Sequence, residues 1–197
     1  MALTATVYTF DVNIADTDRG VYESPSLRIA RHPSETAESL AVRVLAYCLE
    51  YSEGIAFSAG VSTGDEPAIA IKDLTGAWRA WIDIGYPDAA RLHRASKLSP
   101  RVAVYIHKEP AILLRQLADQ RIHRAEALEL YAVDRELLAG LVARLDRRMQ
   151  LGLTVTDRHL YLTVGTDTLS GEVVRLPPLG GIAVESRRRK EPHGRTD

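Results

Sequence analysis

Three acidic residues fall in a short segment whose β-rich pattern brings them close together. Asp65 and Glu66 stand directly before the run PAIAIKD at 67–73, and Asp83 lies near the end of the next run, AWRAWIDIG. The intervening DLTG at 73–76 has the residue order of a type I turn with a glycine bulge, which predicts a three-residue hairpin loop. Counting outward from that loop makes Asp65 and Asp83 diagonal neighbours on one face of the sheet. With a two-residue loop, Glu66 replaces Asp65 as the partner of Asp83.

Two converging carboxylates predict a cation site. Their negative charges repel each other, and the usual remedies are a raised pKa or a bound cation. Mg²⁺ takes oxygen ligands and commonly uses one or two carboxylates together with water and substrate phosphate. Asp65 and Asp83 are therefore candidate Mg²⁺ ligands, with Glu66 in support. A second interpretation stays open, in which Asp65 and Glu66 are loop residues and Asp83 caps the end of its strand.

The elements that position these acids alternate between helices and strands. Residues 34 to 107 read as a helix, three short strands, a second helix and a buried strand. Ser34 is a candidate N-cap for the first helix, and Gly54 is a candidate stop. Trp78 and Trp81 have opposite strand parity, so we expect them on different faces of their strand.

The rest of the chain continues this pattern and adds a hairpin at each end. Alternating runs at 3–14 and 21–31 predict an N-terminal hairpin, and a late hairpin turns at Asp157-Arg158 with GEVVRL as its third strand. We expect a mixed α/β (α+β) fold in which the two hairpins form an additional antiparallel sheet. The segments between the hairpin regions predict a third helix, a strand and a fourth helix at about 110–119, 127–133 and 134–148.

Charge and composition exclude several classes of protein. The 197 residues carry 25 basic and 26 acidic side chains, so no whole-molecule field attracts a polyanion or an anionic membrane. No apolar run approaches the roughly 20 residues of a membrane span, and the N-terminus lacks the pattern of an export signal. With Cys48 as its single cysteine, the chain fits a cytoplasmic location. We expect one domain at 1–185 followed by a basic, disordered tail at 186–197.

Three long stretches carry a family resemblance. They are MALTATVYTFDVNIADTDRGVYESPSLRIARHPSET at the start, GDEPAIAI in the middle and WIDIGYPDAARLHRA soon after. In these collinear stretches the chain resembles the YaeQ family of small bacterial proteins. The resemblance implies a restriction-endonuclease-like fold similar to that of the PD-(D/E)xK nucleases, whose core runs helix, three strands, helix, strand. That is the order predicted from 34 to 107.

The resemblance also implies roles for particular residues. In PD-(D/E)xK nucleases an acid opens the second core strand, and an acid on the third strand is followed two residues later by lysine on the same face. Carried across, the first acid is Asp65 or Glu66 and the second is Asp83. An acid on the first helix corresponds to Glu38. The resemblance therefore implies Asp65, Asp83 and Glu38 as metal ligands.

The chain departs from the nuclease pattern at one position. Gly85 stands two residues after Asp83, where the pattern has the lysine that activates water and stabilises negative charge. Because some nuclease-fold proteins move this cation to another element, the second helix is the place to search. Arg91, Arg94 and Lys97 lie there at every third position, and Arg94 is our candidate; the alternative is a solvated basic face.

Two functions follow as expectations. The first is a Mg²⁺-dependent nuclease that hydrolyses phosphodiester bonds in DNA or RNA, with catalysis by Asp65, Asp83, Glu66 and Arg94. The second is a nuclease-fold protein that has lost catalysis and acts as a nucleic-acid-binding or protein-interaction module. In this interpretation, Gly85 in place of the lysine marks the loss of catalysis. The shared fold does not decide between them.

Overall fold

Within residues 5–58 and 66–179, which the computed structural model describes, the chain forms four α-helices and eleven β-strands. The helices are α1 (Ala37–Leu49), α2 (Ala89–Leu98), α3 (Pro110–Leu117) and α4 (Arg135–Ala143). The strands are β1 (Thr6–Asp16), β2 (Val21–Glu23), β3 (Ser26–Arg31), β4 (Ile55–Phe57), β5 (Ile69–Lys72), β6 (Trp78–Ile84), β7 (Val102–Ile106), β8 (Glu129–Val133), β9 (Arg148–Thr156), β10 (His159–Val164) and β11 (Asp167–Arg175). Asp65 and the tail predicted at 186–197 lie outside the described residues. From α1 to β7 the order is helix, three strands, helix, strand, as predicted.

All of these strands join one mixed sheet, so the prediction of an additional antiparallel sheet was wrong. The strand order is β2-β1-β9-β10-β11-β8-β7-β6-β5-β4, with β3 also paired to β1. The nine residues of β11 make this possible, because its start pairs with β10 and its end, from Val173 to Arg175, pairs with β8. The two hairpins do share a sheet, but β1 and β9 meet in parallel.

Helices cover the central strands from both faces. On one face α1 and α4 pack against the sheet through a core that includes Leu45, Ile82 and Tyr105. On the other face α2 and α3 enclose Trp81 and Val104. Every residue of β7 is buried, which is typical of a strand with helices on both sides. In the described part of the chain, no helix is long and apolar enough to cross a membrane.

The ends of two helices differ from the sequence prediction. The N-cap of α1 is Thr36, whose hydroxyl accepts from the Ser39 amide at 3.2 Å, whereas the Ser34 hydroxyl bonds to His32. The helix ends at Leu49, and Gly54, with φ +81°, turns the chain into β4. A Cβ added at Gly54 would lie 1.9 Å from the Lys72 carbonyl oxygen. Helix α4 ends earlier than predicted because residues 148 onward alternate in burial and pair with β1.

The β5–β6 hairpin confirms the predicted loop and adds a bulge. The Asp73 amide donates to the Ala77 carbonyl at 3.0 Å, and Gly76 has φ +84°. Beyond this loop, Lys72 faces Trp78 but the next residue along β5 faces position 80, so Arg79 is an extra residue in β6. The expected register is therefore wrong by one residue. The bulge also brings the Trp78 and Trp81 rings to the same side, with centroids 5.4 Å apart.

Candidate functional site

A cleft of about 310 Å³ opens where β6 ends, between the start of α1 and the start of α2. Its lining includes Asp83 and Arg91 on one side and Glu35, Ser39 and Arg43 on the other. Because β6 runs parallel to β7, and β7 to β8, the cleft lies at the carboxyl end of a parallel strand. In sheets of this kind, that is where ligands commonly bind. The cleft is therefore the candidate site.

Asp83 is a buried carboxylate held by a complete set of donors. Its side chain is only 3% exposed. The Arg91 guanidinium donates from Nε to Oδ2 and from Nη2 to Oδ1, both at 2.7 Å. The Trp81 indole donates to Oδ2 at 2.9 Å, and the Ala68 amide lies 3.4 Å from Oδ1. These two hydrogen bonds between the planar guanidinium and the carboxylate fix both side chains and neutralise the buried charge.

The start of α2 explains why Arg91 reaches Asp83. Asp88 caps the helix, with its carboxylate accepting from the Arg91 amide at 2.7 Å. This cap places Arg91 in the first turn, beside the end of β6. The guanidinium carbon lies 5.5 Å from the centre of the Trp81 ring, and Nη2 also donates to the Glu66 carbonyl at 2.6 Å. One arginine thus connects helix, strand and the segment that precedes β5.

A second acid and arginine form the opposite wall of the cleft. Glu35 and Arg43 are each 4% exposed at the side chain, and Arg43 Nη2 donates to Glu35 Oε2 at 3.1 Å and to the Ala30 carbonyl at 3.0 Å. Burial raises the pKa of Glu35 above its ordinary value of 4.5, although the Arg43 guanidinium opposes this shift. The Glu35 carboxyl group therefore keeps its proton to a higher pH than an exposed glutamate does.

The structure separates the residues predicted from the sequence. Asp83 lies in the cleft. Because of the bulge in β6, the alternation along β5 places Glu66, the alternative partner, on the same face as Asp83. The Glu66 side chain is exposed. Glu38 is not in the cleft lining, and hydrogen bonds from its own amide and from the Thr36 hydroxyl lower its pKa. Arg94 is exposed on α2, and Arg91 contacts Asp83. Asp65 lies outside the described residues.

Gly85 has a backbone that disfavours a lysine. Its φ is +84°, in the left-handed region that side chains with a Cβ rarely adopt. A Cβ there would lie 3.4 Å from Cε1 of His107, so the histidine ring faces this position. Burial lowers the pKa of His107 below 6.5, and its Nδ1 is buried with no hydrogen-bond partner among the described residues.

A Mg²⁺ ion at this cleft would find few protein ligands and would share the Asp83 oxygens with Arg91. Within residues 5–58 and 66–179, no three His, Cys, Asp or Glu side chains converge on one point. An ion at this cleft would therefore take one or two carboxylates, with water in its other positions. Mg²⁺ is commonly bound in that way. Asp83 is the candidate first ligand, and Glu35 or Glu66 the candidate second.

Comparison with known proteins places the chain in a family. The family model for YaeQ protein matches residues 1–173. The chain belongs to the YaeQ family. Among its relatives is the YaeQ protein of Escherichia coli (strain K12), which is 34% identical over 83% of this chain and 91% of the relative. The YaeQ protein of Salmonella typhi is 32% identical over 86% of this chain and 94% of the relative. Both relatives bear the description uncharacterized protein YaeQ.

Two crystal structures of YaeQ proteins share this fold. The structure from Pseudomonas syringae has a TM-score of 0.79 and 31% identity, covering 87% of this chain and 96% of its own. The structure from Xanthomonas axonopodis pv. citri has a TM-score of 0.80 and 30% identity, covering 89% and 99%. The mixed α+β architecture with its large sheet is therefore that of the YaeQ family.

Glu35 and Arg43 are the residues of this YaeQ chain that sequence reasoning missed. Arg43 lies on the buried face of α1, next to Val42 and Val44. A charged side chain inside an otherwise apolar helical stripe was the available signal, since a buried charge needs a partner. Glu35 was readable only as an acid near the start of a helix, because its pairing with Arg43 depends on how the chain enters α1.

Proposed function

We propose that this YaeQ protein is a Mg²⁺-dependent nuclease-like protein that hydrolyses phosphodiester bonds in DNA or RNA. The proposal includes a core from α1 to β7 similar to that of the PD-(D/E)xK nucleases. The observation that carries it is the buried Asp83 carboxylate, which lies at the end of a parallel strand in an open cleft and faces a guanidinium. A nuclease needs an acid to bind a cation and a positive group to stabilise phosphate, and the two lie together here.

Four side chains at or beside the cleft have distinct tasks in this proposal. Asp83 would hold the metal, and the Trp81 indole keeps its carboxylate in a fixed orientation. When bound, the ion supplies Lewis acidity and lowers the pKa of a bound water. Arg91 stabilises the negative charge that develops on the phosphate, and Glu35 accepts a proton because its pKa is raised. Arg91 would share the Asp83 oxygens with that ion, and its remaining donors would face the substrate phosphate.

The test is cleavage of labelled single-stranded and double-stranded DNA and RNA by the purified protein with Mg²⁺ or Mn²⁺. Asp83→Asn keeps the shape of the side chain and removes its charge, so we expect it to abolish cleavage. Asp119→Asn changes an exposed acid outside the cleft and is the matched control, with cleavage unchanged. Equal cleavage by wild type and Asp83→Asn would mean that the activity does not arise at this cleft, and no cleavage of any substrate would refute the proposal.

A second function is favoured by the conformation of Gly85. The left-handed backbone there disfavours a lysine, and the oxygens of Asp83 are fully engaged by Arg91, Trp81 and Ala68. Both features suit a nuclease-fold protein that binds nucleic acid without cleaving it. Fluorescence anisotropy of labelled DNA and RNA separates the two functions. Binding without divalent cations, unchanged in Asp83→Asn and accompanied by no cleavage, would support the binding module.

A further inference from the structure

A second cavity, of about 340 Å³, lies at the other end of α1. It is bordered by the helix end at Glu50, by Tyr105 and Tyr131 on neighbouring strands, and by the β9–β10 turn at Arg158. Its lining shares no residue with the Asp83 cleft. The thirteen residues of α1 span about 20 Å, so the two sites are well separated. A ligand of this cavity would therefore occupy a site distinct from the Asp83 cleft.

Hydrogen bonds fix the charged and aromatic groups on the floor of this cavity. Arg101 donates to both oxygens of Glu50 at 2.6 and 2.9 Å, and to Glu129 Oε2 at 2.6 and 3.0 Å. The Tyr105 hydroxyl donates to Glu50 at 2.8 Å, and the Tyr131 hydroxyl donates to Glu129 at 3.0 Å. The two tyrosine rings stack with centroids 5.0 Å apart and an interplanar angle of 22°. With both hydroxyls engaged, the tyrosines offer the cavity mainly ring surface.

Hydrogen bonds also hold the two acids at one side of the cavity. Asp16 accepts from the Arg19 guanidinium at 2.7 Å and from the Arg19 amide at 3.1 Å. Asp18 accepts from the amides of Asp157 and Arg158, both at 2.8 Å. These bonds join the β1–β2 turn to the β9–β10 turn and fix the backbone of Arg158. The Arg19 guanidinium neutralises Asp16, whereas Asp18 keeps its charge and holds the backbone of the turn that carries Arg158.

Two arginines at the cavity have guanidinium groups that a ligand can reach. In the part of the chain that the structure describes, the Arg158 guanidinium makes no hydrogen bond or ion pair with another residue. Arg175 is 60% exposed at the side chain, and its ion pair with Glu129 is long, at 3.7 Å. Both line the cavity, and Asp18 anchors the turn that carries the first of them. Arginine binds phosphate well because its planar fork matches two phosphate oxygens.

We propose that this cavity binds a nucleoside monophosphate, with the phosphate on Arg158 and Arg175 and the base against Tyr131. The apolar side chains of Val155, Leu160 and Val173 complete the wall beside the ring. An apolar and aromatic surface with a few charged groups at one side is the usual composition of a small-molecule site. The base supplies a flat face that packs against the tyrosine ring. The phosphate supplies negative charge that pairs with the two arginines.

Calorimetric titration of the protein without divalent cations tests this site, with AMP, GMP, CMP and UMP as probes. Adenosine and inorganic phosphate serve as the two halves of AMP. We expect at least one monophosphate to bind saturably, and AMP to bind at least about tenfold more tightly than adenosine, since charge-assisted hydrogen bonds to phosphate are strong. Binding should persist in Asp83→Asn. Absence of saturable binding by all four monophosphates, or equal affinity for AMP and adenosine, would overturn the proposal.

Substitutions locate the ligand within the cavity. Arg158→Asn removes the guanidinium while suiting the positive φ of 65°, and Arg175→Gln removes the second charge. Each should weaken AMP binding about tenfold and leave adenosine binding unchanged. Arg148→Gln, at an exposed arginine outside the cavity, is the matched control. Tyr131→Phe should retain binding and Tyr131→Leu should weaken it. Wild-type AMP affinity in the double variant of Arg158 and Arg175 would refute the assigned site.

Discussion

The Arg91 guanidinium donates two hydrogen bonds to the buried Asp83 carboxylate, each 2.7 Å long. Asp83 is 3% exposed at its side chain and Arg91 is 23% exposed, so the pair lies at the inner wall of the cleft. The same two residues therefore contribute to stability and, in the proposed function, to metal binding and charge stabilisation. The predictions below separate these contributions.

Arg91→Ala should lower the free energy of unfolding by about 2–4 kcal/mol. The substitution leaves the Asp83 charge buried without its main partner, and such losses are costly. Lys97→Ala, at an exposed position in the last turn of the same helix, should change stability by less than about 0.5 kcal/mol. Urea denaturation measures both. Equal stability of the two variants would show that the Arg91 pair contributes nothing beyond an exposed charge.

The pKa of Glu35 should lie above the ordinary value of 4.5, and the pKa of Glu38 should lie below it. Burial raises the pKa of Glu35, whereas hydrogen bonds from its own amide and the Thr36 hydroxyl lower the pKa of Glu38. Carboxyl-detected NMR across acidic and neutral pH measures each group. A Glu38 pKa above that of Glu35 would contradict the described environments. Arg43→Met should raise the pKa of Glu35 further, since the arginine is its main opposing influence.

These shifts have opposite effects on stability. Folded Glu35 binds its proton more tightly than the unfolded chain does, so its contribution to the free energy of unfolding falls as pH rises above 4.5. Glu38 stabilises the fold above 4.5, and that stability is lost as pH falls through its lowered folded pKa. Denaturation curves of Glu35→Gln and Glu38→Gln should differ from wild type with these opposite slopes. The same sign of pH dependence for both would be incompatible with the two shifts.

Gly85→Ala should destabilise the protein by about 1–2 kcal/mol, because a left-handed backbone strains a residue with a Cβ. Gly76 has the same φ of +84° and open space around it, so Gly76→Ala is the matched comparison. The nearest atom to a Cβ at Gly85 is 3.4 Å away, which is ordinary contact, so we expect similar losses at the two positions. Thermal and urea unfolding provide the measurement. A gain in stability for Gly85→Ala would remove the backbone as the reason that lysine is disfavoured.

Arg101→Leu should cost about 2–4 kcal/mol, because Glu50 would stay buried without its partner. Its side chain is 34% exposed, while that of Glu50 is 9% exposed. Arg144→Leu breaks a surface pair with Asp167, whose side chain is 54% exposed, and should cost less than about 1 kcal/mol. Chemical denaturation of both variants measures the difference. If the two costs were the same, the Glu50 network would be no more stabilising than a surface ion pair.

Local patterns predicted the order of the elements and the β5–β6 loop. Asp73 and Gly76 define that loop through short-range hydrogen bonds, which a sequence motif can encode. The bulge at Arg79 has no comparable local signal, and one extra residue reversed the parity of Trp78 relative to Trp81. The parallel pairing of β1 with β9 joins residues more than 130 positions apart, so hairpin patterns alone gave an antiparallel sheet.

The sequence predicted the central acid of the candidate site, but it did not predict the residues that surround this acid. Asp83 stood out because it ends an apolar strand. Its pairing with Arg91 instead of Arg94 depends on the helix cap at Asp88, which sets the angle of the first turn. Glu35 entered the cleft in place of Glu38 because Thr36 starts α1 later than expected and leaves Glu35 before the helix, beside Arg43.

Binding of Mn²⁺, followed by the room-temperature EPR signal of the free ion, tests the central claim most directly. The account predicts one bound ion per chain in wild type, competition by Mg²⁺, and loss of the site in Asp83→Asn. The control Asp119→Asn, at an exposed acid outside the cleft, should bind as wild type does. No bound Mn²⁺ in wild type, or equal binding in wild type and Asp83→Asn, would contradict the assignment of a metal site to the Asp83 cleft.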